Sequence, residues 1–215
     1  MTQPSAEPAF SVGVVILAAG RSARMGKPKL LLPWRGTSVL GHLLGQWQAL
    51  GAKQIAVVCA PGQQAIQAEL DRLGVPADHR IYNPTPERGM FSSIQCAARW
   101  AGWQAAITHW AIVLGDQPHL QPQTLRRALD FSAAQPARVC QPARRGQGRH
   151  PVLLPKALFR QLAGSTAATL KEFLAAKAGE VALCEVDDPG LEVDIDRPED
   201  YDQAVELAAK RGVER

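Results

Sequence analysis

The chemistry in this sequence is densest between Val14 and Leu31. There the run Val14-Val15-Ile16-Leu17 breaks into Ala18-Ala19-Gly20-Arg21-Ser22-Ala23-Arg24-Met25-Gly26-Lys27-Pro28-Lys29-Leu30-Leu31. Ala18, Ala19 and Gly20 carry almost no side chain, so backbone N–H groups there can approach an anion closely. Arg21, Arg24, Lys27 and Lys29 place four positive charges within nine residues. Close amides with clustered cations suit a polyphosphate. The plainer alternative is a solvated basic turn after a first strand, and neither G-x-x-x-x-G-K-[ST] nor G-x-G-x-x-G occurs here.

Carboxylates and hydroxyls recur at later loop positions. The apolar run Trp110 to Leu114 ends in Gly115-Asp116, and Pro118 forces the chain out of regular structure. An Asp at the C-terminal end of a central parallel strand lies where ligands bind, although an Asx turn would also account for it. Near the C-terminus, Asp196 and Glu199 read as a capping box opening the last helix, with Pro198 near its start. Asp194 projects to the same side of an extended segment and is left without a structural task. Gly89-Met90-Phe91-Ser92-Ser93 opens a helix after a Pro-rich loop, where serine is an ordinary cap. The stretch from Ala143 to Val152, with Arg149, His150 and Pro151, is basic and glycine-rich, suited to an acidic molecule or to a solvated hairpin.

Such residues need a scaffold that gathers loop ends. Val14 to Leu17 is too short and too apolar for an amphipathic helix and reads as a strand covered on both faces, the habit of a parallel sheet under helices. Further strands are expected at 54–59, 80–83, 138–141 and 181–186. Helices are expected at 38–50, 61–73, from Gly89 to about Ala101, and at 122–134, 156–162 and 166–176. The alternation implies right-handed βαβ units and an α/β fold: a three-layer, Rossmann-like, mostly parallel sheet with helices on both faces. Residues 1–10, with Pro4 and Pro8, read as a flexible tail, and residues 11–215 as a single domain.

Of the 215 residues 46% are hydrophobic and 20% charged, which gives no reason to expect disorder, collagen or a coiled coil. The net charge of +4 fits an anionic ligand without requiring nucleic acid. Cys59, Cys96, Cys140 and Cys184 show neither a zinc spacing nor a disulfide framework and read as small core residues in a reducing compartment. No stretch approaches the roughly 18 apolar residues of a membrane span, so a cytoplasmic protein without membrane contact is expected.

The string Leu17-Ala18-Ala19-Gly20-x-Ser22-x-Arg24-Met25-Gly26-x-Pro28-Lys29-Leu30-Leu31 closely resembles the signature loop of the molybdenum cofactor cytidylyltransferase family. It is similar, more distantly, to that of sugar-1-phosphate and methylerythritol-phosphate nucleotidyltransferases. Leu114-Gly115-Asp116-x-Pro118 and Asp194-Ile195-Asp196-x-Pro198-Glu199-Asp200-Tyr201 carry the resemblance further. It implies transfer of CMP from CTP to a molybdopterin-type cofactor with release of pyrophosphate, and a recipient molybdoenzyme as a further partner. Arg24, Lys29 and Asp116 would be catalytic. Leu17, Ala18, Ala19, Gly20, Arg24, Lys29, Gly89, Ser92 and Ser93 would line the nucleotide. Asp116 and Asp194 would hold Mg²⁺, a hard cation suited to carboxylate oxygen. Arg149, His150 and Pro151 would face the acceptor. The guanylyl branch usually carries Gly-Gly where this chain has Ala19-Gly20, which favours the pyrimidine base. The alternatives are a guanylyltransferase on the same cofactor, a nucleotidyltransferase for another phosphorylated acceptor, and a molybdopterin-carrying chaperone.

Overall fold

The structure, a computed structural model, describes residues 10–20 and 22–210. Arg21, most of the expected tail and the last five residues of the expected domain lie outside that description. In chain order the strands are β1 (Val12–Leu17), β2 (Pro33–Trp34), β3 (Thr37–Ser38), β4 (Gln54–Cys59), β5 (Arg80–Tyr82), β6 (His109–Leu114), β7 (Val139–Arg144), β8 (Gln147–Gly148), β9 (Val152–Pro155) and β10 (Val181–Glu185). The helices are α1 (Val39–Ala49), α2 (Gln64–Arg72), α3 (Met90–Arg99), α4 (Pro122–Ala133), α5 (Lys156–Leu162), α6 (Leu170–Ala175) and α7 (Pro198–Lys210).

Strand β1 explains the layering. Val12, Val14 and Ile16 face one core with residues of α1, α2, α4 and α7, while Val15 faces the other with residues of α3, α5 and α6. Apolar cover on both faces is why the strand shows no polar alternation. The expected three-layer α/β architecture is therefore present, built on an eight-stranded sheet in the order β10-β7-β9-β6-β1-β4-β5, with β8 on β7. β9 runs antiparallel to β6 and β7, and β8 antiparallel to β7.

From β1 the chain moves outward to β4 and β5, then returns to place β6 on the other side of β1. This reversal is where an open α/β sheet leaves a crevice at its strand C-termini. The register Leu17↔Leu114 sets Ala18 to Gly20 beside Gly115 and Asp116.

Several boundaries differ from the sequence reading, for local reasons. α2 starts at Gln64 instead of Pro61 because the preceding Gly62 takes φ 77°. α3 stops at Arg99, where Trp100 turns extended and the Trp103 indole N–H donates to the Ala97 carbonyl at 2.9 Å. α6 begins at Leu170 because the Thr169 hydroxyl accepts the Glu172 N–H and caps it. The β2–β3 hairpin and β9 were not expected as elements. Phe10, assigned to the tail, packs its ring 4.7 Å from that of His109.

Gly115 is required by close approach: a Cβ there would lie 2.7 Å from the Leu17 carbonyl oxygen and 2.7 Å from Leu30 Cδ2. The strand end and the cationic loop touch only because this position has no side chain. Gly115→Ala should destabilise the fold by roughly 1–3 kcal/mol, the usual cost of overpacking. Gly45→Ala, in the exposed face of α1 with open space around it, should stabilise by about 0.5–1 kcal/mol. Thermal denaturation of both variants checks this, and an unchanged Gly115→Ala protein would mean the strand end and loop are not held in contact.

Candidate nucleotide site

Leu17, Ala18, Ala19, Gly20, Ser22, Lys29, Gly89, Met90, Ser93, Gly115 and Asp116 all line one cleft of about 290 Å³ at the reversal point of the sheet. The loop after β1 forms one wall. Ser22 turns it through φ 49°, and the Ser22 hydroxyl accepts the Lys29 N–H at 3.1 Å, closing the loop on itself. That bond aims Lys29 inward. Its ammonium lies 2.6 Å from Asp116 Oδ2 and 3.3 Å from Asp196 Oδ1, with only 16% of the side chain exposed. Arg24 pairs with Asp196 Oδ2 at 3.1 Å from the rim, 66% exposed.

The opposite wall is the entry to α3. Gly89 adopts φ 87°, a left-handed conformation that favours glycine. Fully buried Asn83 donates from its amide to the Ser92 and Ser93 hydroxyls at 2.8 and 2.9 Å, and its carbonyl accepts the Thr85 N–H. Ser92 donates back to the Gly89 carbonyl at 2.7 Å and does not line the cleft, whereas Ser93 does. Ser92 thus shapes the wall from behind.

Asp194 and Asp116 come together although 78 positions separate them, because the Ile195 N–H donates to the Asp116 carbonyl at 3.1 Å. Gln117 donates to Asp194 Oδ1 at 2.8 Å. The capping assignment changes. Asp200 accepts the Asp196 and Arg197 N–H groups at the start of α7, so the Asp196 carboxylate is free to face Lys29 and Arg24.

The expected acceptor residues separate. The His150 ring donates from Nδ1 to the Ile112 carbonyl at 3.2 Å. Burial holds its pKa below the ordinary value, against the raising effect of the Asp116 charge. Arg149 stays on the hairpin and donates to Gln147 Oε1 at 3.0 Å. Pro151 is buried and lines a small cavity with Leu43, Trp47 and Leu125, and it is not among the residues that line the cleft. Gln117, Asn83 and Ser22 were not singled out as functional, although Gln117 follows Asp116 directly and Asn83 ends a strand before a proline.

The sequence profile of the MobA-like NTP transferase domain matches residues 14–185, from β1 through β10. The chain belongs to this nucleotidyltransferase family. It is 33% identical over 142 residues to the bifunctional protein GlmU of Xanthobacter autotrophicus, a match taking in 62% of this chain and 30% of that relative. It thus spans under a third of the curated relative's length. Rv0371c from Mycobacterium tuberculosis superposes with a TM-score of 0.72 at 28% identity, over 92% of this chain and 99% of that one. A complex of Rv0371c with manganese gives 0.66 at 26% identity over the same shares. The molybdopterin-guanine dinucleotide biosynthesis protein A of Archaeoglobus fulgidus shares the fold, with a TM-score of 0.68 at 16% identity, over 92% and 99% of the two chains.

In this family member the donor set suits a divalent cation. Asp116 Oδ1 is buried and has no hydrogen-bond partner among the described residues, while Oδ2 is taken by Lys29. No group of three or more His, Cys, Asp or Glu side chains is gathered at metal-holding distance among the described residues. A hard cation held by one or two carboxylates and completed by substrate oxygens fits that arrangement.

Burial, followed by the neighbouring Asp116 charge, pushes the Asp194 carboxyl above the usual carboxylate range, against the opposing Gln117 hydrogen bond. A carboxyl raised on folding contributes stability below its unfolded value near 4 and loses it as pH rises through its folded value. Asp194→Asn should therefore raise Tm at pH 7 more than at pH 4. It should also reduce the Tm gain from millimolar Mg²⁺ at pH 7. Equal gains at both pH values would mean that Asp194 is not strained. Asp196→Asn should leave the unfolding free energy within about 0.5 kcal/mol of wild type, since Asp200 keeps the cap. It should bind pyrophosphate several-fold more tightly by releasing Arg24 and Lys29, and weaker binding in calorimetry would assign Asp196 a supporting role instead.

Proposed function

We propose that this chain transfers CMP from CTP to the terminal phosphate of a molybdopterin-type cofactor, releasing pyrophosphate. The observation that carries the reading is Asp116. One of its oxygens is paired with Lys29 and the other is buried without a partner, in a cleft walled by the Ala18 to Gly20 backbone. A nucleoside triphosphate supplies the negative charge that such a loop attracts. Asp116 and Asp194 would hold Mg²⁺, which would supply positive charge against the phosphates.

The reaction needs no covalent intermediate. An acceptor phosphate oxygen attacks the α-phosphorus in line, the new P–O bond forms, and the bond to the bridging oxygen breaks so that pyrophosphate departs with the electron pair. The protein's part is to align two polyanions and stabilise charge moving onto the leaving group. Lys29 and Arg24 sit to receive that charge. The Ala19 and Gly20 N–H groups cradle the phosphates, and Ser93, Gly89 and Ala19 border the base. Ala19, 7% exposed in the cleft wall, narrows the space there, which supports a pyrimidine. His150, neutral near Asp116, lies on the acceptor side, with Arg149 further out on the basic hairpin.

Residues 11–215 would act as one nucleotidyltransferase domain. All four cysteines are free thiols, and no described helix is long and apolar enough to cross a membrane. Both features support a cytoplasmic setting in which the product passes to a recipient molybdoenzyme.

Pyrophosphate release should be measured with purified molybdenum cofactor, Mg²⁺ and each of the four nucleoside triphosphates. Turnover with CTP alone is expected. Turnover only with GTP would overturn the base assignment, and no turnover with any nucleotide would overturn the reading. In that assay Lys29→Ala should lose roughly 10²–10³ in rate. Lys27→Ala, whose side chain is exposed on the same loop, should stay near wild type, and equal losses would mean the loop presents a different cation.

A further inference from the structure

The wall formed by Ala18 to Gly20 can bind an anion only if its peptide N–H groups face the cleft. β1 ends at Leu17, and the Ala18 N–H still donates to the Val58 carbonyl of β4 at 2.8 Å, so sheet hydrogen bonding fixes that peptide and leaves the direction of the two that follow open. One side chain from another loop does reach them. Gln63, half-buried at the start of α2, donates from Nε2 to the Ala18 carbonyl at 3.2 Å and to the Gly20 carbonyl at 3.3 Å. Its Oε1 accepts the Ala60 N–H at 2.8 Å. The Ala60 donor and the two carbonyl acceptors fix the amide orientation without ambiguity, since each partner admits only one end of the amide.

We infer that Gln63 is the positioning residue for the phosphates of the nucleotide. The inference rests on the nucleotidyltransferase reading of this cleft. In a trans peptide the C=O and the following N–H point in opposite directions. Drawing the Ala18 carbonyl toward Gln63 therefore turns the Ala19 N–H the other way, toward the cleft. Neither Ala19 nor Gly20 gives its N–H to a recorded acceptor among the described residues, so those donors remain available. Gln63 touches no substrate itself. It ties the loop after β1 to the loop after β4 with an uncharged group, and so leaves the cations of the site unpaired by it.

Two substitutions separate this role from simple turn stabilisation. Gln63→Leu removes all three hydrogen bonds at similar size. Gln63→Glu keeps an oxygen for the Ala60 N–H but replaces the donor with an acceptor facing two carbonyls. Binding of inorganic tripolyphosphate and of CTP is measured by calorimetry, alongside Tm and, in the pyrophosphate-release assay, KM for nucleotide, KM for acceptor and kcat. Both variants should weaken tripolyphosphate binding by about tenfold or more, the scale of one or two lost hydrogen bonds. Nucleotide KM should rise in parallel, with acceptor KM unchanged and Tm within a few degrees of wild type. A Gln63→Glu protein that binds like wild type would overturn the inference, because only the Ala60 contact would then matter. Equal weakening for both substrates, tracking a large fall in Tm, would also overturn it. Wild-type protein that binds tripolyphosphate but turns over no nucleotide would sink the proposed reaction while leaving the Gln63 comparison intact, and wild-type protein that binds neither would overturn both.

Discussion

The structure depends on a charge balance at the C-terminal ends of β1 and β6. Three carboxylates, those of Asp116, Asp194 and Asp196, are gathered around one largely buried ammonium, that of Lys29, with Arg24 as a second cation at the rim. Formally the group carries one more negative than positive charge, and Asp194 bears the strain as a raised pKa. Opposite charges in contact are worth several kcal/mol only where water is scarce. The Lys29–Asp116 pair, at 16% and 18% exposure, holds more tightly than the Arg24–Asp196 pair at 66% and 39%. Entry of a polyphosphate into this arrangement adds negative charge to a site already rich in it, so it requires cations to come with the ligand and the resident carboxylates to yield some of theirs.

That balance dictates what the fold must do. The reversal of strand order around β1 sets a loop following residue 17 beside a strand end at residue 115, and Gly115 permits the contact by lacking a Cβ. The third contributor arrives from the far end of the chain. The segment carrying Asp194 is tied by the Ile195 N–H to the Asp116 carbonyl, and Asp200 then starts α7 at a fixed point. Backbone hydrogen bonds thus set the spacing of the charges, which side-chain attraction alone would let drift.

Much of this was legible in the sequence. The apolar runs at 14–17 and 110–114 read as strands covered on both faces, and small residues followed by cations mark the loop at the sheet's edge. Asp116 and Asp194 were identifiable because each lies at the end of an extended segment without a nearby structural partner. The assignment failed at Asp196, where a capping box was read from Glu199 three residues on. Asp200 can reach the same N–H groups, and local spacing does not tell the two apart. Pro151, which the resemblance sets facing the acceptor, is buried and lines a small cavity with Leu43, Trp47 and Leu125. Antiparallel β9 was hidden because most of its pairing is with β6, about forty residues earlier, and only Leu153 meets Cys140 of the nearby β7.

Apart from the Ser22 hydroxyl, the groups that escaped the sequence reading share a chemical type. Gln63, Asn83 and Gln117 are neutral amides, each bonded to the backbone or side chains that form the site and none contributing charge to it. An amide offers a donor and an acceptor at fixed separation and does not titrate, so it can fix the direction of a peptide plane, a hydroxyl or a carboxylate without entering the electrostatic balance. A Lys or Glu at any of these positions would pair with the clustered charges or repel them. A division of labour follows: ionised groups set the charge of the cleft, whereas the amides behind them hold its walls. Sequence motifs register the first class because its members cluster around small residues at strand ends. The second class is dispersed, and only the folded chain shows which amide faces which loop.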